Sequence, residues 1–173
     1  LLLTAAASAT ADWQLDSASS SLHFMSTKNQ HVTETHSFGS LSGTLSDSGK
    51  LVVTVDLNTV NTGIEIRDQR MREMLFNVAK LPTATLTANL SNDVTQLAKG
   101  KSIKQLVEAQ FEINGSSKNL PVEIQVTRLQ SGALLATSTK PVVINAMDFK
   151  LDGGVSALQK VAGLAGISLT VPV

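Results

Sequence analysis

The chain has 173 residues and a mass of 18.2 kDa, enough for one domain with a sizeable core, and its 14 basic and 14 acidic side chains cancel to zero net charge. No global field is available to gather nucleic acid or an anionic membrane surface. Cysteine is absent, which excludes disulfides, thiolate metal sites and a thiol nucleophile, and aromatic residues make up 3 % against 42 % hydrophobic, so Leu, Val, Ile and Ala must fill the interior.

The first eleven residues read as the back end of a secretory signal. Leu1 to Leu3 and Ala5 to Ala7 have the character of an apolar core, and Ala9-Thr10-Ala11 gives a small-x-small cleavage pattern before Asp12. This segment is too short to span a bilayer. Residues 1–11 are therefore expected to be a signal remnant and 12–173 a single domain.

From Asp12 onward apolar and polar residues alternate at the period of β-strands. Leu22 and Phe24 alternate with Ser21, His23 and Met25, and Phe38, Leu41 and Leu45 follow in a Gly- and Ser-rich run with room for a bulge. After the turn Ser46-Asp47-Ser48-Gly49, Leu51, Val53, Val55 and Leu57 take one face while Thr54, Asp56 and Asn58 take the other.

The stretch from Asn61 to Pro82 breaks this alternation and holds three of the four arginines, Arg67, Arg70 and Arg72. A short helix is expected, N-capped by Asp68, which stands four residues before Arg72 in the favourable order for an ion pair. Its apolar face would carry Met71, Met74 and Leu75, with Phe76 near the end and Pro82 closing the segment. Arg67, Asp68 and Arg72 then form either the lip of a ligand cavity or a charged corner that holds the scaffold together.

Beyond it, Ala84, Leu86, Ala88 and Leu90 alternate with threonines, and Val107, Ala109, Phe111 and Ile113 alternate with Glu108, Gln110 and Glu112. Asn114-Gly115 returns the chain into Leu120, Val122, Ile124 and Val126 as a tight hairpin. Gly132 to Thr139 and Pro141 to Asn145 read as strands, Ser156 to Ala162 as a short helix ended by Gly163, and Ile167 to Val173 as a last strand, with Gly153-Gly154 as a turn before that helix. Many strands with one apolar face each argue for an all-β sandwich or up-and-down barrel.

Little in the chain suggests catalysis. His31 and His36 are five apart, which in a strand sends them to opposite faces, and no carboxylate sits at a ligand spacing, so neither a metal site nor a cofactor is expected and the histidines read as solvated or lightly hydrogen-bonded. No G-x-S-x-G elbow occurs. Asp56, Glu65 and Asp68 are not marked out as a glycosidase pair, and Gly153-Gly154 lacks the context of a phosphate loop. A barrel lined by aliphatic residues would instead take a long alkyl or isoprenoid tail, each buried methylene contributing about 0.8 kcal/mol. Phe24, Phe38, Val53, Val55, Leu86, Phe111, Ile113, Val122 and Ile124 are the lining candidates, and the same residues would suit an ordinary packed core.

The block TGIEIRDQRMREMLFNVAKLPTATLTA, through Thr62, Arg67, Asp68, Met71, Arg72, Phe76 and Pro82, resembles the diagnostic segment of the YceI-like family. Trp13, Asp16, Ser20, Leu22, Phe24, Phe38, Leu41, Gly43, the Gly115, Ser117 and Lys118 turn, and Asp148-Phe149 extend the resemblance over nearly all of residues 12–173, with Ala146 and Ser116 as departures. The resemblance implies a lipocalin-like antiparallel β-barrel with one or two short helices. It further implies a periplasmic protein without catalysis that binds, stores or transports a polyisoprenoid or quinone-type lipid. The partner is then a hydrophobic small molecule, not nucleic acid; the chain is not an integral membrane protein, and a homodimer is compatible with the pattern. The alternative is a stress-related or interaction protein whose barrel is a packed scaffold.

Overall fold

The structure, a computed structural model, describes residues 1–5 and 12–173, with Thr4 and Ala5 described by their backbone alone. Ala6, Ala7 and the Ala9-Thr10-Ala11 pattern lie outside the described residues. The chain opens with β1 (Leu2–Ala5), β2 (Trp13–Asp16), β3 (Leu22–Lys28), β4 (Val32–Phe38), β5 (Leu41–Leu45), β6 (Lys50–Asp56) and β7 (Val60–Asn61). Helix α1 (Glu65–Arg70) runs into a π-helical turn, Met71–Leu75, and β8 (Thr83–Asn89), α2 (Asn92–Thr95), β9 (Ser102–Ile113) and β10 (Ser116–Arg128) follow. β11 (Leu134–Ser138), β12 (Val143–Asn145), α3 (Asp152–Val161) and β13 (Thr170–Pro172) complete it.

Eight strands close an antiparallel barrel in the order β1-β11-β10-β9-β8-β6-β5-β2. Its longest ladder is the β9–β10 hairpin, from Ser102↔Thr127 to Ile113↔Ser116. Asn114 and Gly115 turn it with φ of 54° and 67°, the left-handed pair that a two-residue hairpin needs. Leu2–Ala5, assigned above to the signal remnant, pair with β2 on one side, and Leu2 and Leu3 with β11 on the other. Leu3 is buried within the barrel.

Two features depart from the sequence reading. β3, β4 and β7 form a separate three-stranded sheet rather than barrel wall, and β12 pairs with β13 in a two-stranded one. Gly153 and Gly154 lie inside the first turn of α3 instead of before it. There Gly154 lets the helix approach the π turn: an added Cβ would stand 2.7 Å from the Met74 carbonyl oxygen and 2.8 Å from Leu75 Cα.

The buried side chains fall into two clusters, one at each end of the barrel. One gathers Leu41, Val55, Ala84 and Ile113 with Phe24, Met71, Phe76 and Phe149; the other gathers Leu45, Ala88, Ala109, Val122 and Leu134 with Trp13 and Val94. Val94 on α2 is 0 % exposed, and the Arg128 Nη1 donates to the Leu97 carbonyl at 3.1 Å while its guanidinium lies 6.0 Å from the Trp13 ring centre, so this end is plugged.

Candidate functional site

Strand register places inward-facing residues in rings around the barrel, because every second side chain of a strand shares one face. Leu41 stands opposite Val55 and Val55 opposite Ala84, and all three are buried, as is Ile113. Toward the plugged end Leu45, Ala88 and Ala109 are buried. Between these layers runs a belt in which Gly43 faces Val53, Val53 faces Leu86 and Leu86 faces Phe111. Every belt residue, and Leu15 beside Gly43, keeps solvent-accessible surface although it points inward. The belt residues are therefore less completely enclosed than Leu41, Val55, Ala84 and Ile113 on one side or Leu45, Ala88 and Ala109 on the other, as are Leu51 and Leu120 next to the latter.

Gly43 marks a close approach of two strands within the belt. A Cβ there would lie 2.5 Å from the Val52 carbonyl oxygen and 3.5 Å from Leu15 Cδ1, so the strands approach too closely for a side chain.

The open end is covered by the β3–β4 hairpin and the α1–π segment. Along one hairpin face, Leu22 pairs with Phe38, Phe24 with His36, Ser26 with Glu34 and Lys28 with Val32. The face therefore changes from apolar at its base through neutral polar to charged at its tip. Phe24 and Phe38 have ring centres 5.2 Å apart, and Phe38 and Phe76 6.0 Å. Next along, His36 is 4 % exposed, its ring centre 5.2 Å from that of Phe24 and its Nε2 2.9 Å from Ser26 Oγ. The other ring nitrogen, Nδ1, is buried and has no hydrogen-bond partner. Burial pushes the imidazole below its ordinary value, and the nearby Arg67 charge adds to this, so it is neutral near pH 7.

The tip is a charge network. Lys28 Nζ lies 2.7 Å and Arg67 Nη1 2.9 Å from Glu34 Oε2, which together hold the Glu34 carboxyl below the usual carboxylate range, the Lys28 contact most of all. Arg67 also donates through Nε to Thr62 Oγ1 at 2.8 Å and through Nη2 to the Thr62 carbonyl at 2.7 Å. Asp68 Oδ1 accepts from the Thr62 backbone N–H at 2.9 Å and from its hydroxyl.

These contacts correct the expected role of Asp68. It lies inside α1, whose N-cap is Ile64 without a side-chain cap bond, and it binds Thr62 instead of capping. Arg72 makes no ion pair among the described residues. The apolar face also differs: Phe76 N–H bonds the Met71 carbonyl five residues back, so Met71 and Phe76 are buried while Met74 is 36 % exposed. An α-helical period places Met74 inward; one π turn rotates it out.

Of the nine lining candidates, Val53, Leu86 and Phe111 lie in the belt, Val55 and Ile113 in the layer nearer the mouth, and Val122, with Ile124 against its cluster, toward the plugged end. Phe24 and Phe38 belong to the hairpin over the mouth, not to the barrel wall. His36, Ser26, Glu34, Lys28 and Thr62 were outside the candidates. The period-two change from Leu22 to Lys28 and from Phe38 to Glu34 is the sequence signal that would have found four of them.

A closed eight-stranded barrel, plugged at one end and covered at the other by a hairpin of graded polarity, defines a lipocalin-like β-barrel of a size that holds one small ligand. Residues 13–173 match the model of the YceI-like domain, and the chain belongs to that family. Its fold is similar to a polyisoprenoid binding domain from Saccharophagus degradans implicated in plant cell wall breakdown, with a TM-score of 0.84 and 35 % identity over 99 % of this chain and 92 % of that one. Burkholderia cenocepacia BcnA (TM-score 0.66, 17 % identity, 91 % and 94 % covered) and the Campylobacter jejuni YceI protein (0.51, 21 %, 80 % and 81 %) share the fold. No curated protein matches the chain. No helix among the described residues is long and apolar enough to cross a membrane.

Proposed function

We propose that the protein binds the tail of a long-chain isoprenoid or related quinone-like lipid inside the barrel, stores or carries it, and catalyses nothing. The observation that carries this reading is the belt of Gly43, Val53, Leu86 and Phe111, apolar, inward-facing and only partly buried. The similarity to a polyisoprenoid binding domain supports the same ligand class. Export to the periplasm belongs to the proposal and rests on the small-residue pattern Ala9-Thr10-Ala11; cleavage between Ala11 and Asp12 would take β1 out of the barrel and leave β2 and β11 without that shared neighbour.

The test is lipid extraction and mass spectrometry of the purified protein beside titration with a fluorescent isoprenoid analogue. Leu86→Trp fills the belt and is expected to abolish analogue binding while shifting the denaturant midpoint little. A solid core would respond with a loss of about 1–3 kcal/mol and no binding to lose.

A further inference from the structure

We propose that the outer face of α1 and its π turn is a membrane-docking surface, which seats the mouth end of the barrel on an anionic phospholipid bilayer. The choice of a membrane as partner rests on the proposed lipid-binding reading, because an isoprenoid tail is drawn from a bilayer and returned to one. The surface itself is read from side chains outside the barrel. Ile64, Ile66, Met74 and Leu81 are 48 %, 52 %, 36 % and 37 % exposed, all on the one segment that covers the mouth. The plugged end has no counterpart: among the described residues its loops, 46–49, 91–101 and 129–132, leave no large apolar side chain exposed. Single exposed apolar residues need no explanation, but a group of them on one side of a molecule marks an interaction surface.

The phase of the segment sorts its charges. Gln69 Nε2 donates to Glu73 Oε1 at 2.9 Å, so side chains four apart stay in line across the junction of α1 and the π turn. Glu65, Gln69 and Glu73 occupy one such line and Ile66, Arg70 and Met74 the next, which is apolar with one cation and no acid. The Arg70 guanidinium has no ion pair or hydrogen bond among the described residues, and neither has that of Arg72, in contrast to Arg67, which Glu34 and Thr62 engage. A free guanidinium between apolar side chains suits a lipid phosphate, since apolar burial and attraction to anionic headgroups together hold an amphipathic segment in the interface. The zero net charge of the chain gives no long-range pull, and Glu65 and Glu73 stand one line away, so the contact is short-ranged and reversible, as a carrier that must leave the bilayer again requires. A second copy of the chain is a poorer occupant: a two-fold contact centred on this line sets Arg70 against Arg70.

Co-sedimentation with vesicles tests the face, using phosphatidylcholine alone and phosphatidylcholine mixed equally with phosphatidylglycerol. The unmodified protein is expected to bind the mixed vesicles, and to bind them more tightly than phosphatidylcholine alone, a preference that needs no variant to read. Replacing Ile66 and Met74 together by Gln should lower binding to both vesicles by about 10-fold or more, and Arg70→Gln should lower it by about fivefold on the mixed vesicles only. Leu106→Gln, at a side chain 61 % exposed on the barrel wall, and Lys99→Gln, at the plugged end, should change neither. Equal losses in Leu106→Gln or Lys99→Gln overturn the docking face. A dimer in solution that ignores vesicles and is dissociated by the Ile66 and Met74 changes assigns the face to a second copy and overturns it too. Binding of the fluorescent isoprenoid analogue in vesicle-free buffer reads the barrel separately. A protein that binds the analogue and ignores both vesicles overturns the docking face alone; the expected vesicle pattern without analogue binding overturns the lipid-binding reading and leaves the face standing; failure of both overturns both.

Discussion

Arg67 and Glu34, 33 positions apart in the chain, meet at 2.9 Å and tie the helix over the barrel mouth to the tip of the β3–β4 hairpin. Both side chains are partly solvated, at 25 % and 33 % exposure, so the ion pair itself contributes little. Glu34→Gln is expected to cost less than about 1 kcal/mol. Arg67→Ala also strips the donors from the Thr62 carbonyl and hydroxyl and should cost about 1–3 kcal/mol. Urea denaturation of the two single variants and the double would show this asymmetry; equal losses would mean that the ion pair, not the Thr62 contacts, holds the corner.

Asp68 closes the loop from Thr62 into α1 through a backbone and a hydroxyl donor. Asp68→Ala should destabilise by about 1–3 kcal/mol, and Asp68→Asn, which keeps an acceptor oxygen, by clearly less. Thermal melts of both variants decide it. If the two melt alike, the negative charge and not the acceptor geometry matters at this position.

The two glycines of α3 make opposite predictions. Gly154→Ala puts a methyl against the Met74 and Leu75 backbone and should cost about 1–3 kcal/mol. Gly153→Ala meets nothing within 4 Å and should stabilise the helix by up to about 1 kcal/mol. Chemical denaturation of the pair reads the sign directly, and a neutral Gly154→Ala would show that α3 can withdraw from the π turn.

Stability should fall on acidification in two windows. In the unfolded chain His36 takes up a proton near its ordinary value of about 6.5, while burial keeps the folded imidazole neutral to lower pH. The unfolded state then binds more protons, so stability declines as pH drops below about 6.5 until the folded imidazole protonates too. Glu34 acts lower: its depressed carboxyl gives stability that is present above its unfolded value of about 4.5 and is lost as pH falls through the folded value. Melting temperature against pH should flatten in the first window for His36→Asn, and in the second for Glu34→Gln.

How much of this could be read from the chain depends on the range of the interaction. The β9–β10 hairpin was legible because Asn114-Gly115 and the flanking alternation are local, and so were the apolar faces of β6 and β8. The belt was not, since which of Val53, Val55 and Leu86 shares a ring is fixed by register between strands distant in sequence. The helix at the mouth was legible in place but not in phase, because one five-residue hydrogen bond from Phe76 to Met71 reverses the exposure of Met74. His36 reads in the sequence as solvated or lightly hydrogen-bonded; its one bond to Ser26 fits the second, but its burial was not legible because nothing local shows that its alternate neighbours turn inward over a barrel.

The seam where β1 meets β11 sets the order in which this barrel forms. Leu2 and Leu135 are neighbours across the sheet yet stand 133 positions apart in the chain, whereas the β3–β4 and β9–β10 hairpins need only adjacent sequence. Loop closure over that distance must be met before the contact returns any free energy, so such pairings form late and slowly. Until then the growing sheet has a free edge, and the lumen stays open along one side after most of the wall is built.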